Sequence, residues 1–166
     1  MIHLLSVPVL LFLLSIQITI SSKFLLLDGF ADIILVWLTA WGIQSRVKKS
    51  WVWFGVAISM TAFISAVPWY AIFLSYLVIY LLGYFMKKRL WQSPMLSFFM
   101  ALILGSASNY LIQFLVLRLI GSNISWIDAV QRIIIPSTIL NLVIGFPVYL
   151  IARDLSSMVF TDVQNE

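Results

Sequence analysis

Charged residues divide this chain into apolar runs, each close to the length that crosses a bilayer as a helix, and that division constrains its fold more than any other feature. A spanning helix needs about 20 apolar residues, at about 1.5 Å each, to cover a hydrocarbon core of roughly 30 Å. Runs at 2–22, 24–44, 51–67, 69–86, 95–120 and 133–153 reach or approach that length. They are continuous and do not alternate with period two, which excludes a transmembrane β-barrel. With 63% hydrophobic and 10% charged residues, the chain carries more apolar surface than a soluble domain of 166 residues can bury. The expected fold is an all-α integral membrane protein: a bundle of about six transmembrane helices with both termini cytoplasmic. Residues 1–155 form a single transmembrane domain, and 156–166 a short polar cytoplasmic tail that frays after Arg153.

Orientation follows from the basic residues. With six spans and both ends inside, Arg46, Lys48, Lys49, Lys87, Lys88, Arg89 and Arg153 face the cytoplasm, against Lys23, Arg118 and Arg132 outside. The net charge of +4 thus marks loops, not a nucleic-acid surface. Trp51 and Trp53 follow the first basic cluster as an aromatic belt would. The first run lacks a cationic leader and a small-residue cleavage site, so it reads as a retained helix. Residues 51–86 break at Pro68 and form either two short spans or a re-entrant hairpin.

Polar residues within the runs are the candidate sites. Asp28 and Asp32 lie four apart near the start of the second run; they are either solvated carboxylates at a helix start or membrane-embedded acids with a function. Tyr76, Tyr80 and Tyr84 form an aromatic stripe, read as packing or as a groove for a partner helix. On the fifth run Ala101, Gly105, Asn109 and Gln113 share a face, and on the sixth Ser137, Asn141 and Gly145 do. Small and polar stripes let membrane helices approach and hydrogen-bond. Antiparallel packing of these two helices predicts contact between the Asn109 and Asn141 faces. Between them, Ser125 and Asp128 fit the N-terminus of a short surface helix in which Asp128 pairs with Arg132. Pro136 falls in the first turn of the last helix, where its missing N–H costs little; Pro147 falls inside it.

Chemistry is sparse. There is no cysteine, and the only histidine is His3 at the N-terminus, so thiolate and histidine sites are excluded from the bundle. No phosphate-binding glycine loop or nucleophile elbow is present. An enzyme is not expected, and no cofactor or metal is implied.

The last run contains P-S-T-I-L-N-L-V-I-G-F-P-V-Y, residues 136–149, which resembles the C-terminal signature of the bacterial rod shape-determining protein MreD family. Pro136, Asn141, Pro147 and Tyr149 carry the resemblance. A second stretch, A-D-I-I-L-V-W-L-T-A-W-G-I-Q at 31–44, is similar to that family's early helix. The resemblance implies a non-catalytic subunit of the cell-wall elongation complex in the bacterial plasma (inner) membrane. It would maintain cell shape by binding a single-span MreC-like protein, and through it MreB, RodA and a penicillin-binding transpeptidase of peptidoglycan synthesis. The alternative is the substrate-binding membrane subunit of an energy-coupling-factor vitamin or micronutrient transporter, which an outward-opening polar pocket holding Asn109, Gln113 and Asp32 would favour. Leucine at Asn141 or Gly145 separates two roles for the last helix. Release of a partner from an intact bundle marks a docking face, whereas loss of the protein from the membrane marks an internal one.

Overall fold

The computed structural model describes residues 5–21, 29–47, 49–89 and 93–161. The chain is all-α, with α1 Ser6–Ser21, α2 Ile33–Ile43, α3 Ser50–Ile64, α4 Trp69–Arg89 and α5 Pro94–Leu119. The last helix, here α6, is composite: an α turn Trp126–Asp128, a π-helical stretch Ala129–Ile134 and a long α segment Ile135–Thr161.

The bundle is built around α2. Its sequence, IILVWLTAWGI, is apolar on every side, and a helix with no polar face has to be buried on every side. Every residue of α2 except Gly42 is buried, and α1, α3, α4, α5 and α6 all pack against it. Trp37, Trp41 and Trp53 cluster at one end, with the Trp41 and Trp53 ring centres 4.6 Å apart. Trp53 is therefore a core residue and not part of an interfacial belt, whereas Trp51 is exposed as a belt residue would be.

Among the described residues, three helices are long and apolar enough to cross a membrane: α4, α5 and α6. The apolar helices α1, α2 and α3 are shorter. At 11 residues, α2 is the shortest of the described helices that pack round the core; it covers only about 16 Å. Residues 51–86 divide as expected near Pro68, giving α3 and α4, which pack side by side with Phe54 edge-on to Tyr80 at 5.3 Å. The connection is a tight turn in which Ser65 Oγ accepts the Val67 N–H at 3.1 Å.

The end of α5 follows from one glycine. Gly121 has φ +107°, where side chains with a Cβ are strained. Its N–H bonds to Arg118 C=O and that of Ser122 to Leu117 C=O, both at 3.1 Å, closing the helix in a Schellman motif.

Beyond that turn the structure corrects three expectations. Residues 126–134 are not a separate surface helix but run directly into the last long helix, and Ser125 makes no side-chain capping bond. Pro136 thus lies well inside a helix rather than in its first turn. Proline there lacks an N–H and crowds the preceding carbonyls, and the wider π turn just before it relieves both. The helix also continues past Arg153 to Thr161, because Ser156 and the apolar Leu155 and Phe160 keep packing on the core. The expected Asp128–Arg132 pair is present at 3.5 Å, on an exposed surface.

Leu5, Val9, Leu155 and Val159 line one small cavity with Trp41 and Trp53, so the start of α1 and the end of α6 lie together. Replacing Gly121 with alanine is expected to cost roughly 1–2 kcal/mol through its positive φ, read as an earlier midpoint in detergent unfolding. An alanine at Gly55, inside α3 with open space around it, should not lower that midpoint and should raise stability by up to about 1 kcal/mol.

Candidate functional site

The entry to α2 is where the polar side chains of the bundle converge. Residues 29–32 precede the helix as non-helical chain, yet Gly29, Ala31 and Asp32 are buried. Non-helical backbone inside a membrane bundle has to find its hydrogen bonds in neighbouring side chains. Ser137 Oγ accepts the Phe30 N–H at 3.1 Å, and the Tyr110 hydroxyl donates to Phe30 C=O at 3.1 Å. Asn141 Oδ1 accepts the Asp32 N–H at 2.8 Å. Its amide nitrogen donates to Ser106 Oγ at 3.0 Å, with the Tyr110 oxygen at 3.5 Å. Gly29 lies so close to α6 that a Cβ would come within 2.8 Å of Pro136 Cβ and the Ser137 nitrogen.

Side chains also serve the first turn of α2. Asp32 is the N-cap, its carboxylate accepting the Leu35 N–H at 3.0 Å, while Gln17 of α1 accepts that of Ile34 at 3.1 Å. Asp32 is thus neither a solvated interfacial acid nor idle. At the far end, Lys87 of α4 donates to the carbonyls of Gln44 at 2.6 Å and Val47 at 3.0 Å, closing the chain after α2.

The expected antiparallel pairing of α5 and α6 is present, but through a neighbouring stripe. Phe98, Leu102, Ser106 and Tyr110 of α5 meet Tyr149, Gly145 and Asn141. A Cβ at Gly145 would lie 2.7 Å from Leu102, and Tyr149 stacks on Phe98 at 5.0 Å. The Gly105 and Asn109 face turns instead toward α4, with Gly105 against Ile79. Asn109 is fully buried and accepts from Gln113 at 2.9 Å, while its amide nitrogen has no described partner. Asn141, Gly145 and Tyr149 are therefore internal. Pro147 lies within the same helix, and Asp28 falls outside the described residues.

Beside the network, Gln17, Asp32, Thr61, Tyr76 and Gln113 line a cavity of about 180 Å³ among aliphatic side chains. The Tyr76 and Thr61 hydroxyls are buried and form no well-made hydrogen bond with a described residue. Of the tyrosine stripe, only Tyr76 is in the core; Tyr80 packs on Phe54, and Tyr84 is exposed with Lys88 5.0 Å over its ring. Sequence reasoning read Tyr76 only as part of an aromatic stripe and assigned no role to Gln17 or Tyr110. Gln17 had a signal, as a polar break in an apolar run, and Tyr110 continues the four-residue spacing from Leu102 and Ser106. Among the described residues no group of three acids, histidines or cysteines could hold a metal.

Replacing Asn141 with leucine strands the Asp32 N–H and loses the bond to Ser106. We expect a loss of about 2–4 kcal/mol, from two buried groups left unpaired, in reversible unfolding of the purified protein. Val143, two residues on and exposed, should accept leucine without loss. Comparison with protein-family models, curated proteins and solved structures finds no match.

Proposed function

We propose that the chain is a non-catalytic, multi-pass subunit of the bacterial plasma membrane acting in the cell-wall elongation complex, as its resemblance to the MreD family implies. In this reading the six apolar helices all serve as crossings, α1 to α3 as short ones shielded by their neighbours, and both termini are cytoplasmic. Arg46, Lys87 and Arg153 line one cavity at the end where α1 begins and α6 finishes, which is the arrangement the positive-inside rule expects.

One observation carries the reading. The two stretches that resemble the family, 31–44 and 136–149, are one unit in space: α2 packs on α6, and the Asp32 N–H bonds to Asn141 across 109 residues of sequence. Such a pair of stretches reads as the signature of a particular bundle. Because Asn141 and Gly145 are consumed inside it, an MreC-like helix is received on the outer surface of the bundle.

The cavity beside Asp32 favours a second reading, capture of a small solute for an energy-coupling-factor transporter. It lies at the opposite end of α2 from the basic residues, hence on the outer side, and holds Gln113 and Asp32 with Gln17. The two readings part in one experiment, affinity purification from native membranes in mild detergent followed by mass spectrometry. Recovery of an MreC-like protein with wall-synthesis enzymes is the expected outcome, together with rounded cells on depletion. Recovery of cytoplasmic ATPases with a shared coupling protein would replace it with the transporter reading, and recovery of neither would sink both.

A further inference from the structure

At the end of α2 away from Asp32, the fold gathers positive charge around a cavity of about 390 Å³. Arg46 comes from the connection between α2 and α3, Lys87 from the end of α4 and Arg153 from α6. These segments are far apart in sequence, so their meeting is a property of the fold and not of a basic run. Asp154 is the acid in the lining, and its carboxylate lies 3.0 Å from Arg153 Nε. Three cations against one carboxylate leave the lining with an excess of two positive charges.

The placement of the cations favours an anion over water. Lys87 is half-buried, and the two carbonyls that hold its ammonium orient it without neutralising it. An ammonium has three donors, so one remains for a ligand. Pro94, the first residue of α5, forms part of the wall. Its N-cap Ser93 makes no side-chain capping bond, so the positive end of a 26-residue helix adds to the same field. Tyr149, buried against Phe98, closes the apolar side. Next to the cavity, Met95 and Leu96 are exposed and apolar, as residues beside acyl chains would be.

We propose that this cavity binds the phosphate of an anionic phospholipid headgroup. A phosphodiester fits guanidinium forks and a helix N-terminus, and a basic cavity between membrane helices at the headgroup level is where such a lipid is presented. The site is independent of both functional readings above, since it uses neither the Asp32 cavity nor a partner protein.

Native mass spectrometry of the full chain, released from micelles containing phosphatidylglycerol and phosphatidylcholine in equal amounts, tests the assignment. Retention of one phosphatidylglycerol in preference to phosphatidylcholine is the expected result. The R46Q/R153Q pair should lower the retained fraction at least about tenfold, whereas K49Q/K88Q, with the same loss of charge at the same end but outside the cavity, should stay within about twofold. Circular dichroism melts check that both pairs fold; if R46Q/R153Q does not, R46Q alone, at an exposed position, should still lose about threefold. Equal losses from both pairs would mean diffuse attraction to the membrane and overturn the site. Stabilisation by inorganic phosphate without any lipid retained would reassign the cavity to a soluble phosphate and overturn the lipid. Retention of an acidic polypeptide in place of lipid, or of nothing at all, would overturn it as well.

Discussion

A peptide group held away from water without a hydrogen-bond partner costs several kcal/mol, and residues 29–32 place a run of such groups inside the bundle. Side chains of three helices reach the Phe30 N–H and C=O, the Asp32 N–H and, one turn on, the Ile34 N–H. Ser137 and Asn141 of α6, Tyr110 of α5 and Gln17 of α1 each reach the segment or the helix turn that follows it. Four parts of the chain are thereby fixed to one another at a point where apolar packing alone would specify little. In lipid, Leu against Leu is hardly better than Leu against an acyl chain, so polar contacts and close backbone approach set the register of helices. Asn141 supplies such polar contacts on two sides, since it accepts from one neighbour and donates to another.

This arrangement also explains the small residues. Gly29 sits where a Cβ would strike Pro136 and Ser137, and Gly145 where it would strike Leu102. Each brings a helix or strand-like segment close enough for the nearby hydrogen bond to form. Pro136 is then part of the surface on which Gly29 rests, and the π turn before it is the local adjustment that lets the helix carry it. Residues that seem independent in the sequence are coupled through one contact.

The apolar runs and their approximate limits were legible from hydropathy alone, because burial of backbone in a bilayer forces helices of a known length. The pairing of α5 with α6 was legible from two polar stripes. What was not legible was which of two adjacent stripes on α5 would be used. Asn109 and Ser106 are separated by three residues, and both spacings satisfy a helix face; only the position of α4 against Gly105 decides between them. The short α2 was also hidden, since a non-helical buried segment has the same apolar composition as a helix. Its signal lay in Gly29 and in Asp32, whose carboxylate serves the helix start from within the bundle instead of from its surface. The continuous α6 escaped for the opposite reason: polar residues at 125–132 suggested a separate element, yet nothing there breaks a helix.

The length of α2 accounts for the cavities at its two ends. Its 11 residues cover about 16 Å, short of the roughly 30 Å of a hydrocarbon core, so the chain at either end of α2 runs on inside the bundle in another conformation. At one end it is non-helical chain with Asp32, and the space left beside it is the smaller cavity. At the other end the chain turns after Gln44 and is held by Lys87, and the space left there is the larger cavity, bordered by Arg46 and Arg153. A spanning helix in the place of α2 would fill both. The short helix therefore leaves one recess beside Asp32 and another beside Arg46, Lys87 and Arg153, at opposite ends of its axis.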